Sequence, residues 1–147
     1  MIDLNQHLCF NFYNGWREMA SFYKDALGKD VSPQNVYILE LCELKDRITM
    51  NNLSKAMNLD GSAVSTLISR MEKKGLVKRT HGVKDRRCVY VQLTQDGSDF
   101  RDKLRLKTGD LLKNATKNIS KADIEQLQVI VGKIANNREE FKDSARL

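Results

Sequence analysis

Residues 59–97 read LDGSAVSTLISRMEKKGLVKRTHGVKDRRCVYVQLTQDG, and two periodicities meet in them. From Ser62 to about Lys74 the apolar residues Val64, Leu67, Ile68 and Met71 recur at helical spacing, and Gly75 ends the helix. Two strand-like runs follow, Leu76–Arg79 and Cys88–Leu93. They flank a polar tip from Thr80 to Arg87 that contains Gly82, which predicts a β-hairpin with a long cationic loop, a wing. Just upstream, Thr49 caps a short helix through Leu53, Ala56 and Met57, and Asn58-Leu59-Asp60-Gly61 makes a turn. Two short helices joined by such a turn are a helix-turn-helix candidate.

The charge of the chain is concentrated in this stretch. Residues 70–87 hold eight cations (Arg70, Lys73, Lys74, Lys78, Arg79, Lys84, Arg86, Arg87) and two anions (Glu72, Asp85). That surplus equals the formal +6 of the entire chain, so the remaining residues balance to zero. A neutral body with one cationic block points to a polyanionic partner, most often nucleic acid.

Working outward, residues 4–27 place Leu4, Leu8, Phe12, Met19, Phe22, Tyr23 and Leu27 at mostly helical spacing, with Gly28 ending that helix in the left-handed conformation. Ser32-Pro33 starts a second helix whose face of Val36, Leu39, Leu41 and Leu44 runs to near Asp46. Beyond the wing, Thr94 caps a helix through Phe100, Leu104, Leu111 and Leu112, with Gly109 a weak point. Ser120-Lys121-Ala122-Asp123 resembles a capping box, and the last helix carries Ile124, Leu127, Val131 and Ile134 at a spacing suited to a partner helix. The fold class expected is mainly α with a small β wing: a winged helix-turn-helix over 32–95, flanked by dimerisation helices at 1–31 and 96–147.

Composition narrows the function. The 147 residues are 41% hydrophobic and 30% charged, ordinary for a soluble domain. No apolar run is long enough to cross a bilayer and no signal peptide is read, so a cytoplasmic protein with no membrane partner is expected. Three scattered cysteines fit a reducing compartment. His7 and His81 do not combine with them at zinc-ligand spacing, so neither metal nor cofactor is expected. Neither Cys-x-x-Cys, nucleophile elbow, phosphate-cradling glycine loop nor zincin motif is present, which argues against an enzyme.

Residues 59–94 resemble the DNA-binding core of the MarR family of bacterial transcription regulators. The likeness rests on SAVSTLISRMEKKGLV and then DRRCVYVQLTQDG, close to that family's Asp-x-Arg…Leu-Thr-x-x-Gly signature. With the flanking helices it covers essentially the whole chain. On residues 62–74, Ser62, Ser65, Thr66, Ser69, Arg70 and Lys73 fall largely opposite the apolar face, where small hydroxyls allow close approach to a major groove. The resemblance implies that Arg87 enters the minor groove from the wing with Asp85 orienting it. Lys73, Lys74, Lys78, Lys84 and Arg86 are assigned to phosphates. It also implies a homodimer, built from the first and last helices, on a palindromic double-stranded DNA operator.

Residues 8–13, Leu-Cys-Phe-Asn-Phe-Tyr, are similar to the organic-hydroperoxide-sensing branch of that family. Cys9 matches its oxidised cysteine, and Tyr13 and Tyr23 match two of the tyrosines that hold the thiolate, one of which comes from the partner subunit. The third tyrosine is replaced by Ser32, the connection before Pro33 is two residues shorter, and the last helix has no cysteine. Tyr37 is a candidate to substitute for the missing tyrosine. Cys42 and Cys88 read as inert small hydrophobes. The alternative signal is a small aromatic or phenolic acid in a crevice lined by Trp16, Arg17, Tyr23 and Tyr37. A thiol-dependent peroxidase built on Cys9 is the remote alternative.

Overall fold

The computed structural model describes residues 3–83 and 85–144. A 3-10 turn at Leu4–Gln6 precedes α1 (Leu8–Leu27) and α2 (Pro33–Leu41); then come β1 (Ile48–Thr49), α3 (Met50–Met57) and α4 (Gly61–Lys73). The strands β2 (Val77–His81) and β3 (Val89–Leu93) form the wing, and α5 (Gln95–Ala115) and α6 (Lys121–Ser144) complete the chain. The chain is thus mainly helical with a small β wing. By its internal contacts it divides into two compact units, Met1–Leu112 and Lys113–Leu147.

Local chemistry explains most boundaries. The Ser32 hydroxyl and Asn35 side chain form a reciprocal capping box around Pro33, and the Thr49 hydroxyl accepts from the Asn52 N–H at 3.1 Å. Asn58 closes α3 in the left-handed conformation (φ 55°), and Asp60 caps α4. Gly61, expected in the turn, is therefore the first helical residue. The C-terminus of α4 is a Schellman motif: Gly75 takes φ 72°, its N–H bonds the Glu72 carbonyl, and the Leu76 N–H bonds the Met71 carbonyl. Gly28 does end α1, but at φ 88°, ψ 169°, outside the expected left-handed well.

The second helix stops at Leu41 rather than near Asp46, because residues 42–44 are recruited by other elements. The Glu43 carbonyl accepts from the Leu93 N–H at 3.0 Å, and the Leu44 carbonyl from Gln92 Nε2 at 2.5 Å. Further along, β1 pairs with β3, which makes the sheet three-stranded and antiparallel, in the order β1-β3-β2. Gly109 does not interrupt α5: Thr108 and Leu111 beside it are buried and hold the helix through it.

The core of the first unit joins α2, α3, α4 and the sheet. Ile38, Leu39, Leu53, Val64, Ile68, Met71, Val77, Val91 and Leu93 are all at most 1% exposed. Leu67, expected inside, is only half-buried. The Arg101 guanidinium, almost wholly buried, donates to the Cys42 carbonyl at 2.9 Å and meets Glu43 at 3.2 Å, while Arg105 forks onto Glu40. These bonds fasten α5 to the end of α2. Among the described residues no helix is long and apolar enough to cross a membrane.

Candidate nucleic-acid interface

The Leu-Thr-x-x-Gly stretch that follows the wing is a physical joint. The Thr94 hydroxyl donates to the Gly75 carbonyl and accepts from the Gly97 N–H, so one side chain ties the end of α4 to the start of α5. A Cβ at position 97 collides with the backbone carbonyl of Leu76, which is why glycine stands there. The wing is thereby held at a defined place beside α4.

On α4 the buried stripe of Val64, Ile68 and Met71 turns the opposite stripe outward. Ser62, Ser65, Thr66, Arg70, Lys73 and Lys74 are exposed, and Ser69 is half-buried. Asp60 fixes the first turn by accepting from the Ala63 N–H at 2.8 Å and the Ser62 hydroxyl at 2.6 Å; that hydroxyl bond above all holds its carboxyl below the usual range. Thr66 donates to the Ser62 carbonyl at 3.0 Å, leaving its lone pairs outward. Lys74 Nζ reaches the Asp30 carbonyl at 3.1 Å.

On the wing, Lys78, Asp85, Arg86 and Arg87 are exposed; Lys84 lies outside the described residues. Asp85 accepts from the backbone N–H of Arg87 at 2.9 Å. It braces the loop from which Arg87 projects, acting on the main chain of that residue. His81 Nδ1 lies 3.0 Å from the Arg86 carbonyl and closes the other side of the loop. Ser65 of α4 and Arg87 of the wing line one groove of about 570 Å³, together with Thr49 and Arg79.

Two cations behave in ways that sequence reading missed. Arg79 turns inward: its guanidinium donates to the Ser65 carbonyl, the Ser69 hydroxyl and Glu72. Arg47 stacks 4.8 Å above the centre of the Tyr90 ring, beside the base of the wing. Neither lies at helical or strand spacing from its partner, so no periodic signal marks it.

The cysteine residues fall in three environments. Cys42 is fully buried, and burial pushes its thiol up to about 12, which makes it inert. Cys9 and Cys88 are exposed. Tyr13 lies one helical turn from Cys9 and is 60% exposed. Tyr23 is 14 residues further along the same helix, roughly 21 Å by the rise of an α-helix, so one chain does not bring it to Cys9. It is buried instead, and burial chiefly, with the neighbouring Tyr37 hydroxyl second, raises its hydroxyl to about 12. Trp16 is half-exposed, and Arg17 pairs with Glu18 at the surface. A cleft of about 850 Å³ lies elsewhere: Leu27, Val31, Leu67, Met71 and Phe100 form its apolar part, and Lys29, Arg70, Lys73 and Lys74 its cationic part.

A helix-turn-helix followed by a basic wing, with the outward face of its second helix rich in hydroxyls and cations, defines a winged-helix DNA-binding protein. The MarR family model matches residues 31–89. The organic hydroperoxide resistance transcriptional regulator of Bacillus subtilis (strain 168) is 33% identical over 104 residues, spanning 69% of this chain and 70% of its own. The chain belongs to the MarR family of DNA-binding transcription regulators, which are not enzymes. Solved structures share the fold. An Escherichia coli MarR variant complexed with operator DNA superimposes with a TM-score of 0.71 at 23% identity, covering 86% of this chain and 92% of its own. The Streptomyces coelicolor regulator PcaV, complexed with its natural ligand, gives 0.78 at 13%, covering 92% and 96%.

Proposed function

We propose that this regulator acts as a homodimeric, cytoplasmic repressor on a palindromic operator, and that oxidation of Cys9 releases it. The observation that carries the DNA reading is the shared groove of Ser65 and Arg87, which presents the hydroxyl face of α4 and the wing arginine to one duplex. Ser62, Ser65, Thr66 and Arg70 face base edges, with Ser69 beside them held by Arg79, and Arg87 enters the adjacent minor groove. Lys73, Lys74, Lys78, Lys84 and Arg86 neutralise phosphates. One such head reads few base pairs, and two heads on a two-fold axis reach successive major grooves. Exposed apolar residues of α1 (Leu8, Phe12, Trp16) and of α6 (Ile124, Leu127, Val131) supply the pairing surface.

The switch follows from where Cys9 stands. Its thiol is exposed, and Tyr13 follows it by one turn on the same helix. Since Tyr23 of the same chain is distant, the tyrosine that completes the site comes from the second subunit. The Cys9 thiolate attacks an organic hydroperoxide, the O–O bond breaks, an alcohol leaves, and sulfenic acid remains. A small thiol then displaces water to give a mixed disulfide, whose bulk in the dimer interface respaces the DNA-reading heads. The likeness to the B. subtilis regulator supports this reading. Gel retardation on the region upstream of the protein's own gene tests it. Reduced protein should shift the DNA, hydroperoxide-treated protein should not, and Cys9→Ser should stay bound after treatment. Release of Cys9→Ser by hydroperoxide overturns the redox switch.

The cleft of about 850 Å³ favours a second reading, in which a small aromatic acid is the signal. Its carboxylate meets Lys29, Arg70 or Lys73, its ring lies against Leu67, Met71 and Phe100, and it competes with DNA for the same cations. Thermal stabilisation by aromatic acids that persists in Cys9→Ser and disappears in Phe100→Ala supports this reading. Absence of any stabilisation removes it.

A further inference from the structure

We propose that Arg79 and Glu72 form a clamp that fixes the angle between the wing and α4, so that both are positioning residues for sequence-specific DNA binding. The inference rests on the reading of α4 and the wing as the paired DNA contacts.

Arg79 stands on β2, within the cationic block, yet its charge is spent inside the protein. Its backbone N–H donates to Glu72 Oε1 at 3.0 Å, and its Nη1 to Glu72 Oε2 at 3.3 Å. Its Nη2 donates to the Ser65 carbonyl at 2.8 Å and the Ser69 hydroxyl at 2.9 Å. Ser65, Ser69 and Glu72 lie four and three residues apart, so a single side chain spans two turns along one stripe of α4. Any roll or slide of α4 against the wing breaks several of these bonds together. A planar guanidinium has the donors to hold three acceptors at fixed angles, whereas a lysine ammonium supplies one point charge.

The clamp adds orientation more than stability. Val64, Ile68, Met71, Val77 and Val91 already close the core beneath it. The ion pair is partly exposed, Arg79 at 25% and Glu72 at 38% of side-chain area, a setting in which pairs contribute little to folding. Recognition of a groove by two separate elements, by contrast, depends on their mutual angle to within about 10–20°.

The charge of Glu72 gives the proposal its sharpest test. It is an anion between Arg70 and Lys73 on the helix that faces DNA. If it acted only through its charge, Glu72→Gln would tighten binding to every duplex. As half of the clamp, its loss weakens binding to the preferred sequence alone. The parent protein, Glu72→Gln, Arg79→Lys and Arg79→Gln are titrated across a range of salt. The two targets are a duplex that the parent selects from random sequence and a scrambled duplex of equal length.

Each variant should keep the parent's circular dichroism and lose about tenfold or more of its specific-to-scrambled affinity ratio. Glu72→Gln should hold scrambled DNA at least as tightly as the parent does. For both Arg79 variants the slope of log affinity against log salt should match the parent's. Glu72→Gln that binds the selected duplex as tightly as the parent overturns the clamp. So does an Arg79→Gln variant that loses affinity equally on both duplexes with a slope reduced by roughly one unit, since that marks a phosphate contact. Unfolding of Glu72→Gln also overturns it, by making the pair a stability element. Failure of the parent itself to bind any duplex refutes the DNA reading instead, a separate result.

Discussion

Helices α4 and α6 both carry aliphatic residues at three-and-four spacing, and they do opposite things with them. Val64, Ile68 and Met71 of α4 are at most 1% exposed, whereas Ile124, Leu127, Val131 and Ile134 of α6 are 40–51% exposed, and no residue of α6 is buried. The first helix finds its partners within the chain: α2, α3 and the sheet close over it. The second keeps its apolar stripe in contact with water, the stripe proposed above as part of the pairing surface. The periodic signal in the sequence is the same in both. Only the presence or absence of a covering element separates the buried stripe from the exposed one.

The largest effect is expected from breaking the α6 side of this contrast. The double substitution Leu127→Glu, Val131→Glu places two charges on the stripe while leaving the first unit's core untouched. Sedimentation should show a monomer at micromolar concentration. Affinity for a palindromic duplex should fall by roughly a hundredfold or more, because tethering two heads raises avidity by about 10² to 10⁴. A variant that stays dimeric removes α6 from the pairing surface.

Next in size is Arg87→Ala, which acts at the α4 side without touching the core. Operator affinity should fall by roughly ten- to a hundredfold, the range of about 1–3 kcal/mol for one specific contact. The dimer should be unaffected by sedimentation. Unchanged operator affinity at moderate salt excludes Arg87 from the groove.

Gly97→Ala tests how tightly the α4 module is closed. The added methyl meets the Leu76 carbonyl, a backbone atom that cannot swing aside. Overpacking of this kind costs about 1–3 kcal/mol, so the urea midpoint should drop while the oligomeric state persists. A midpoint equal to the parent's shows that the α4–α5 joint is looser than this geometry.

The legible parts of the molecule were those set by neighbours in sequence. Ser32, Thr49, Thr94 and the Ser120–Asp123 box each announce a helix start through residues two or three positions away, and each makes the expected bond. Parts set by distant chain were not legible. Two-residue β1 carries no periodicity, and α2 ends where β3 and Arg101 claim the carbonyls of residues 42–44. The candidate site divides likewise. The outward stripe of α4 could be read from helical spacing. The inward turn of Arg79 and the burial of Tyr23 depend on contacts across elements, which composition and spacing do not encode.

The smallest expected effect concerns how α5 is fastened to the α4 module. Arg105 Nε donates to both carboxylate oxygens of Glu40, and its Nη2 donates to Oε2 at 2.8 Å. Those bonds hold the Glu40 carboxyl below its ordinary 4.5, so the folded chain binds fewer protons there than the unfolded chain does. The stabilisation is therefore complete above that ordinary value and is lost as pH falls through the lowered one. Both side chains are more than 40% exposed, and solvent screening limits the pair to under about 1 kcal/mol. Glu40→Gln should thus be slightly less stable than the parent in urea at pH 7, and the gap should close as the pH is lowered past the folded carboxyl's value. A gap that stays constant down to acid pH means that the substitution has cost packing rather than charge.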